Sequence, residues 1–184
     1  MGLLHILKKL KLGEYSVRIL LLGLDASGKT TIVKQLKGEP IDTISPTLGF
    51  NIETLLYQQY TMHIWDIGGQ ISLRSYWRNY YECTDGIIWV VDSADTRRLH
   101  DCRNELHKLL SNDKLDGATL LILANKCDLT SSMDADKISE ILELHNIQNR
   151  HCYIVQCSAV TGVGLDNGIE WLINDIANRI YFIQ

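Results

Sequence analysis

The segment Gly23-Leu24-Asp25-Ala26-Ser27-Gly28-Lys29-Thr30 constrains this chain more than any other stretch. An apolar run, Val17 to Leu22, precedes it, and a segment of helical patterning, Thr31 to Lys37, follows. Gly-x-x-x-x-Gly-Lys-Thr acquires chemistry only where it joins a strand to a helix. There the loop's backbone N–H groups converge on phosphate oxygens, and the helix N-terminus adds partial positive charge. Lys29 then reaches the outer phosphates, and the Thr30 hydroxyl stands where it can hold magnesium. Gly23, Asp25, Ala26, Ser27, Gly28, Lys29, Thr30 and Thr31 are therefore the candidate phosphate-binding positions. In any other context the same letters would be a glycine turn.

The alternation of strand and helix continues along the chain. Ile52 to Tyr57 and Thr61 to Asp66 read as two strands of a hairpin joined at Gln58-Gln59-Tyr60. Gly86 to Asp92, Thr119 to Ala124 and Cys152 to Cys157 read as further strands. Between and after them, Arg97 to Leu110, Asp134 to Leu144 and Asp166 to Ile180 carry helical spacing, the last through Ile169, Leu172, Ile173, Ile176 and Ile180. The expected fold is α/β: a mostly parallel six-stranded sheet with one antiparallel edge hairpin strand and helices on both faces. In such sheets ligands bind beyond the carboxyl ends of the strands, which is where the glycine-rich loop falls.

The 184 residues suit a single domain, and a net charge of −4 argues against general affinity for nucleic acid. The five cysteines are odd in number and include no Cys-x-x-Cys pair, so neither a disulfide framework nor a zinc site is expected. Reduced thiols in a cytoplasmic compartment are the plain reading. No apolar run is long enough for a membrane span.

Three further motifs follow the first. Asp66-Ile67-Gly68-Gly69-Gln70 ends a strand. Asp66 there can hold magnesium, Gly69 lets its backbone N–H approach a terminal phosphate, and Gln70 can orient an attacking water. Thr47, in Ile44-Ser45-Pro46-Thr47-Leu48-Gly49-Phe50, lies in the loop between the first helix and the hairpin. A threonine there binds magnesium only when a third phosphate positions it. Asn125-Lys126-Cys127-Asp128 ends another strand. The Asp128 carboxylate can accept two bonds from guanine N1–H and its 2-amino group, a donor pair that adenine lacks, for discrimination of roughly 10⁴-fold. Lys126 can lie along the base and Asn125 can tie this loop to the phosphate loop. Ser158 and Ala159 can offer backbone N–H groups to the guanine oxygen.

Four motifs in this order resemble those of a Ras-superfamily GTPase of the P-loop NTPase fold. Asp25 in the first motif, Pro46-Thr47-Leu48-Gly49-Phe50-Asn51 and Trp65-Asp66-Ile67-Gly68-Gly69-Gln70 are similar to its ADP-ribosylation-factor branch and, within that, to the Arf-like two group. Met1-Gly2-Leu3-Leu4, Leu73 to Tyr80 and Trp89 to Asp95 support this. Cys127 departs from the Gln that is common there, and Ser27 from the usual Ala. The resemblance implies GTP or GDP with Mg2+ as ligands, Thr30, Thr47 and Asp66 as metal ligands, and Gln70, Lys29 and Thr47 as the catalytic set. It also implies an activating protein and effectors that bind the GTP form: the helical binder of Arf-like two, a phosphodiesterase delta-type carrier of lipidated cargo, and tubulin-folding cofactor D. Cytoskeletal or centrosomal, mitochondrial and nuclear pools belong to the same implication. A nucleotide kinase would need an arginine-rich lid that is not evident, and a non-hydrolysing scaffold would not need Gln70 and Thr47.

Some related GTPases carry an arginine of their own just before the switch threonine; Ile44, Ser45 and Pro46 occupy that stretch here. Slow unaided hydrolysis is expected, and the Asp25 carboxylate must turn away from the phosphates or repel them. Residues 1–15 read as an amphipathic helix with its linker and residues 16–184 as the nucleotide-binding domain. Leu3, Ile6, Leu7 and Leu10 make the apolar stripe of that helix among Lys8, Lys9 and Lys11. It suits a membrane surface, a groove on its own domain or a groove on a partner. Ile6 fails the Ser/Thr rule for myristoylation and Tyr181 to Gln184 holds no prenylatable cysteine, so at most weak membrane contact and a monomeric protein are expected. Phe50, Trp65, Trp77 and Tyr80 flank the switches and suit an exposed aromatic patch, although Trp65 suits the core as well.

Overall fold

The computed structural model describes residues 15–180; the expected helix over 1–12 and the Tyr181–Gln184 end lie outside them. Six strands form one sheet: β1 (Ser16–Gly23), β2 (Phe50–Tyr57), β3 (Tyr60–Ile67), β4 (Gly86–Asp92), β5 (Thr119–Asn125) and β6 (Cys152–Gln156). Their spatial order is β2-β3-β1-β4-β5-β6, all pairs parallel except the β2–β3 hairpin. Parallel strands covered on both faces need no polar alternation, and β5 is buried at every position.

The helices are α1 (Lys29–Lys37), α2 (Ile71–Arg74), α3 (Leu99–Leu110), α4 (Ala135–Ile141) and α5 (Leu165–Ile180). One face of the sheet packs Leu20, Leu22, Trp89 and Ile122 against Leu99, Leu106 and Leu109 of α3 and Ile138 of α4. The other face packs Ile19, Leu21, Val90 and Leu123 against Ile32 of α1 and the Ile169–Ile180 stripe of α5.

Two departures have local causes. The expected helix from Asp134 is shorter, because Glu143 takes a left-handed φ of 53° and ends it, and a 3₁₀ turn, Leu144–Asn146, follows. Asp134 instead caps α4, accepting from Lys137 N–H at 2.9 Å. Between β3 and β4, α2 and the 3₁₀ turn Trp77–Tyr80 form without any periodic pattern to announce them. Trp77 is the reason. It is buried against Trp89, and its indole Nε1 donates to Gly68 O at 3.0 Å. Trp77 is therefore core, which removes it from the expected surface patch.

Candidate nucleotide site

The glycine-rich loop leaves β1 at Gly23 and enters α1 at Lys29. Gly28 holds a φ of 93°, and a Cβ there would collide with Asn125 Nδ2, so the position tolerates no side chain. The Ser27 hydroxyl donates to Leu24 O at 2.9 Å and closes the loop on itself. Lys29 Nζ reaches back to Gly23 O (3.1 Å) and Leu24 O (2.8 Å), spanning the loop from inside. Burial pulls the Lys29 ammonium down to about 8, partly offset by Asp66 and Asp25. A phosphate is the partner that such a desolvated ammonium lacks.

Three oxygens from three separate segments meet beyond α1. The Thr30 hydroxyl donates to Asp66 Oδ2 at 2.6 Å and lies 2.9 Å from the Thr47 hydroxyl. The other carboxylate oxygen, Asp66 Oδ1, is buried and has no hydrogen-bond partner among the described residues. Burial raises the Asp66 pKa, as expected for a carboxylate that lacks its cation. Hard oxygen donors, one of them orphaned, fit a magnesium ion that takes its remaining ligands from phosphate and water. No group of three or more His, Cys, Asp or Glu suited to a metal occurs among the described residues, so no protein cage competes with this set.

The cleft over this loop has a volume of about 480 Å³. Asp25, Ala26, Gly28, Lys29, Thr30 and Thr31 line one side, while Thr47, Gly69, Gln70 and Lys126 close the others. Gly69 packs so tightly on the backbone of Gly23–Asp25 that a Cβ would clash, which brings its backbone against the glycine-rich loop. Gln70 lies at the N-cap of α2, half-exposed, with no side-chain hydrogen bond. Among the described residues no arginine lines the cleft.

Asn125 joins the base-reading loop to the phosphate loop. Its Nδ2 donates to Ser27 O at 2.8 Å, and its Oδ1 accepts from Ala159 N–H at 2.9 Å. Lys126, at a φ of 70°, donates to Asp92 Oδ2 at 2.6 Å, which fixes its stem beside the cleft. Asp128 is exposed on the same turn and forms no ion pair among the described residues, so its carboxylate is available. Ser158 and Ala159 lie just beyond β6. Ser158 N–H donates to Val163 O at 3.0 Å and Ala159 N–H to Asn125 Oδ1, so both expected donors are already committed. Ala159 thereby braces Asn125, and Ser158 closes its own turn.

Asp25 lines the cleft, and two arginines hold its carboxylate. Arg98 Nη1 holds its Oδ2 at 3.1 Å, and Arg74 Nη2 lies 3.5 Å from its Oδ1. Arg74 also donates from Nε to Gly69 O at 3.0 Å. Sequence reasoning missed both arginines, which lie 73 and 49 residues from Asp25, and no motif signals them. Asp92, the partner of Lys126, was missed for the same reason. Phe50, Trp65 and Tyr80 do associate, with Phe50 stacked on Trp65 at 5.4 Å between ring centroids and Tyr80 5.0 Å from Phe50. Arg18 sits 3.9 Å over the Trp65 ring and makes it half-buried. Cys83 is exposed.

The model of the ADP-ribosylation factor family matches residues 3–176. The chain belongs to the ADP-ribosylation factor family. ADP-ribosylation factor-like protein 2 of Drosophila melanogaster is 58% identical over 184 residues, covering 100% of both chains. The protein of that name in Dictyostelium discoideum is 56% identical over 184 residues, again covering 100% of both. A solved structure of the Arl6 BBS3 small GTPase from Trypanosoma brucei, with bound nucleotide analogue GppNp, is 31% identical, covers 90% of this chain and 99% of that one, and has a TM-score of 0.81. The family's markers in this chain, Asp25, Thr47 and Gln70, are three of the positions that the cleft brings together.

Proposed function

We propose that this member of the ADP-ribosylation factor family is a GTP-binding switch that works with magnesium and hydrolyses GTP to GDP and phosphate. The observation that carries the reading is the meeting of Thr47, Thr30 and Asp66. A loop threonine, a helix threonine and a strand aspartate converge within hydrogen-bond distance beside Lys29 and Gly69. Such an assembly makes the position of the Thr47 loop depend on what fills the cleft.

In the bound state Lys29 exchanges its loop carbonyls for outer phosphate oxygens, and the loop's N–H groups surround the inner ones. Magnesium, when bound, neutralises charge on the phosphate oxygens. The Gly69 N–H donates to the terminal phosphate, and the Gln70 amide orients water for in-line attack. Asp128 accepts from the guanine edge, while Asn125 keeps that reader in register with the phosphate loop. No arginine among the described residues lines the cleft, so turnover is slow until an activating protein supplies one, a gain of about 10³–10⁵-fold.

Effectors engage the GTP form through the face that carries Leu48, Phe50, Ile52, Ile71 and Tyr76. Leu48 is 82% and Ile71 80% exposed, which is costly for a surface without a partner. Relatives bearing the name ADP-ribosylation factor-like protein 2 support the finer reading. On it, the effectors are the binder of Arf-like two, a phosphodiesterase delta-type cargo carrier and tubulin-folding cofactor D, and the processes are lipidated-cargo release and tubulin folding. The working place is the cytoplasm, with cytoskeletal or centrosomal, mitochondrial and nuclear pools. Pull-downs with protein locked in each nucleotide state test this. GTP-dependent capture of those three partners supports it, and capture indifferent to nucleotide refutes it.

A further inference from the structure

A second cleft, of about 300 Å³, lies between the α2 region and α3, and it shares no lining residue with the nucleotide cleft. Arg74, Trp77, Arg78, Tyr81, Glu105 and Lys108 are among the residues that line it. Three cations face one acid, and Glu105 is engaged with Arg74 at 3.5 Å. Arg78 and Lys108 are exposed, and neither forms an ion pair among the described residues. Tyr81 is 6% exposed, and its hydroxyl, which makes no hydrogen bond among the described residues, is not one of the fully buried polar atoms. Burial, with the Glu105 charge behind it, pushes that phenol up to about 12, so it stays a protonated donor at neutral pH. That hydroxyl can exchange water for an incoming acceptor. The acceptor that also satisfies Arg78 and Lys108 is a carboxylate, and the largely buried Trp77 and Leu109 form the apolar floor of the cleft beneath its stem.

The lining also reaches the switch backbone. Trp77 Nε1 donates to Gly68 O and Arg74 Nε to Gly69 O, each at 3.0 Å. Gly69 in turn packs on the phosphate loop. A ligand in this cleft therefore touches the two side chains that hold Gly68 and Gly69, and it competes with Asp25 for Arg74.

We propose that this cleft docks an acidic side chain carried on an apolar segment of a partner protein, and that its occupancy acts on Gly68–Gly69 through Trp77 and Arg74. The docking stands on the cleft alone; the action on the switch rests on the nucleotide reading above.

The test uses the full chain and a fluorescein-labelled dodecapeptide of glutamate, leucine and alanine, read by anisotropy at low salt. A peptide with lysine in place of glutamate is the control. The wild type is expected to bind the acidic peptide at least tenfold more tightly than the Arg78→Glu/Lys108→Glu variant, and to ignore the control. Arg78→Gln/Lys108→Gln, with a milder change of surface, is expected to fall between. Neither position touches the nucleotide cleft, so both variants keep GDP affinity, which verifies their folding. Saturating peptide is expected to change the release rate of a fluorescent GppNp derivative at least twofold in the wild type only. No binding of the acidic peptide, or equal binding by wild type and charge-reversed protein, overturns the docking. Binding with an unchanged release rate overturns the action on the switch. Failure to load any guanine nucleotide would sink the functional reading while leaving the peptide measurement intact.

Discussion

Asn125→Ala tests whether phosphate and base recognition form one unit. The side chain serves two buried backbone groups, the Ser27 carbonyl at 2.8 Å and the Ala159 N–H at 2.9 Å. Alanine leaves both unsatisfied, and each such loss costs about 1–3 kcal/mol, so the pair costs about 2–6 kcal/mol. In the nucleotide-free protein the two loops relax and recover part of this. In the bound protein nucleotide contacts on both sides hold them in place, and the cost stays. At 1.4 kcal/mol per factor of ten, the lower bound corresponds to roughly 30-fold faster nucleotide release. Displacement of fluorescent GDP and GTP derivatives by excess unlabelled nucleotide, followed by stopped flow, reads this rate. GDP and GTP release should accelerate alike, because Asn125 bridges the two loops and not the third phosphate. Acceleration below threefold, or one confined to GTP, would refute the reasoning.

Gln70→Leu should lower single-turnover GTP hydrolysis by at least about tenfold with unchanged GTP affinity, because an orienting amide acts only on the attacking water. Chelation of magnesium should accelerate GTP release by about tenfold or more, since Asp66 Oδ1 would lose its candidate partner, and Thr30→Asn should weaken GTP binding, since it removes the hydroxyl that donates to Asp66 Oδ2. Arg98→Ala should release the Asp25 carboxylate toward the phosphates and speed nucleotide release about twofold to fivefold, the modest effect expected of a partly exposed ion pair. Adding Asp25→Asn to that variant should restore the rate; failure to restore it would show that Arg98 acts elsewhere.

The parts of the fold set by periodicity were legible in the sequence. Gly86–Asp92 and the apolar stripe of α5 are fixed by contacts that recur along one element, so their pattern survives in one dimension. The α2 region was not legible, because a single indole reaching Gly68 across nine residues organises it. In the site, the motif residues Lys29, Thr30, Thr47, Asp66, Gly69 and Gln70 were readable because each belongs to a short string whose spacing the chemistry dictates. Arg74, Arg98 and Asp92 were not, because each is paired with a motif residue across at least 34 positions and sits in no string of its own. Ser158 and Ala159 show the converse: the right loop was found, but backbone donors carry no sequence signal of whether they are already engaged.

The central claim is that this cleft selects a guanine nucleotide and does so with magnesium. Competitive binding of fluorescent GDP against unlabelled GTP, GDP and ATP, each with and without magnesium, tests it most directly. GTP and GDP should displace the probe at concentrations roughly 10⁴-fold below ATP, through the Asp128 donor-pair requirement, and GTP binding should weaken without magnesium. Displacement by ATP within tenfold of GTP, or GTP binding indifferent to magnesium, would contradict the account.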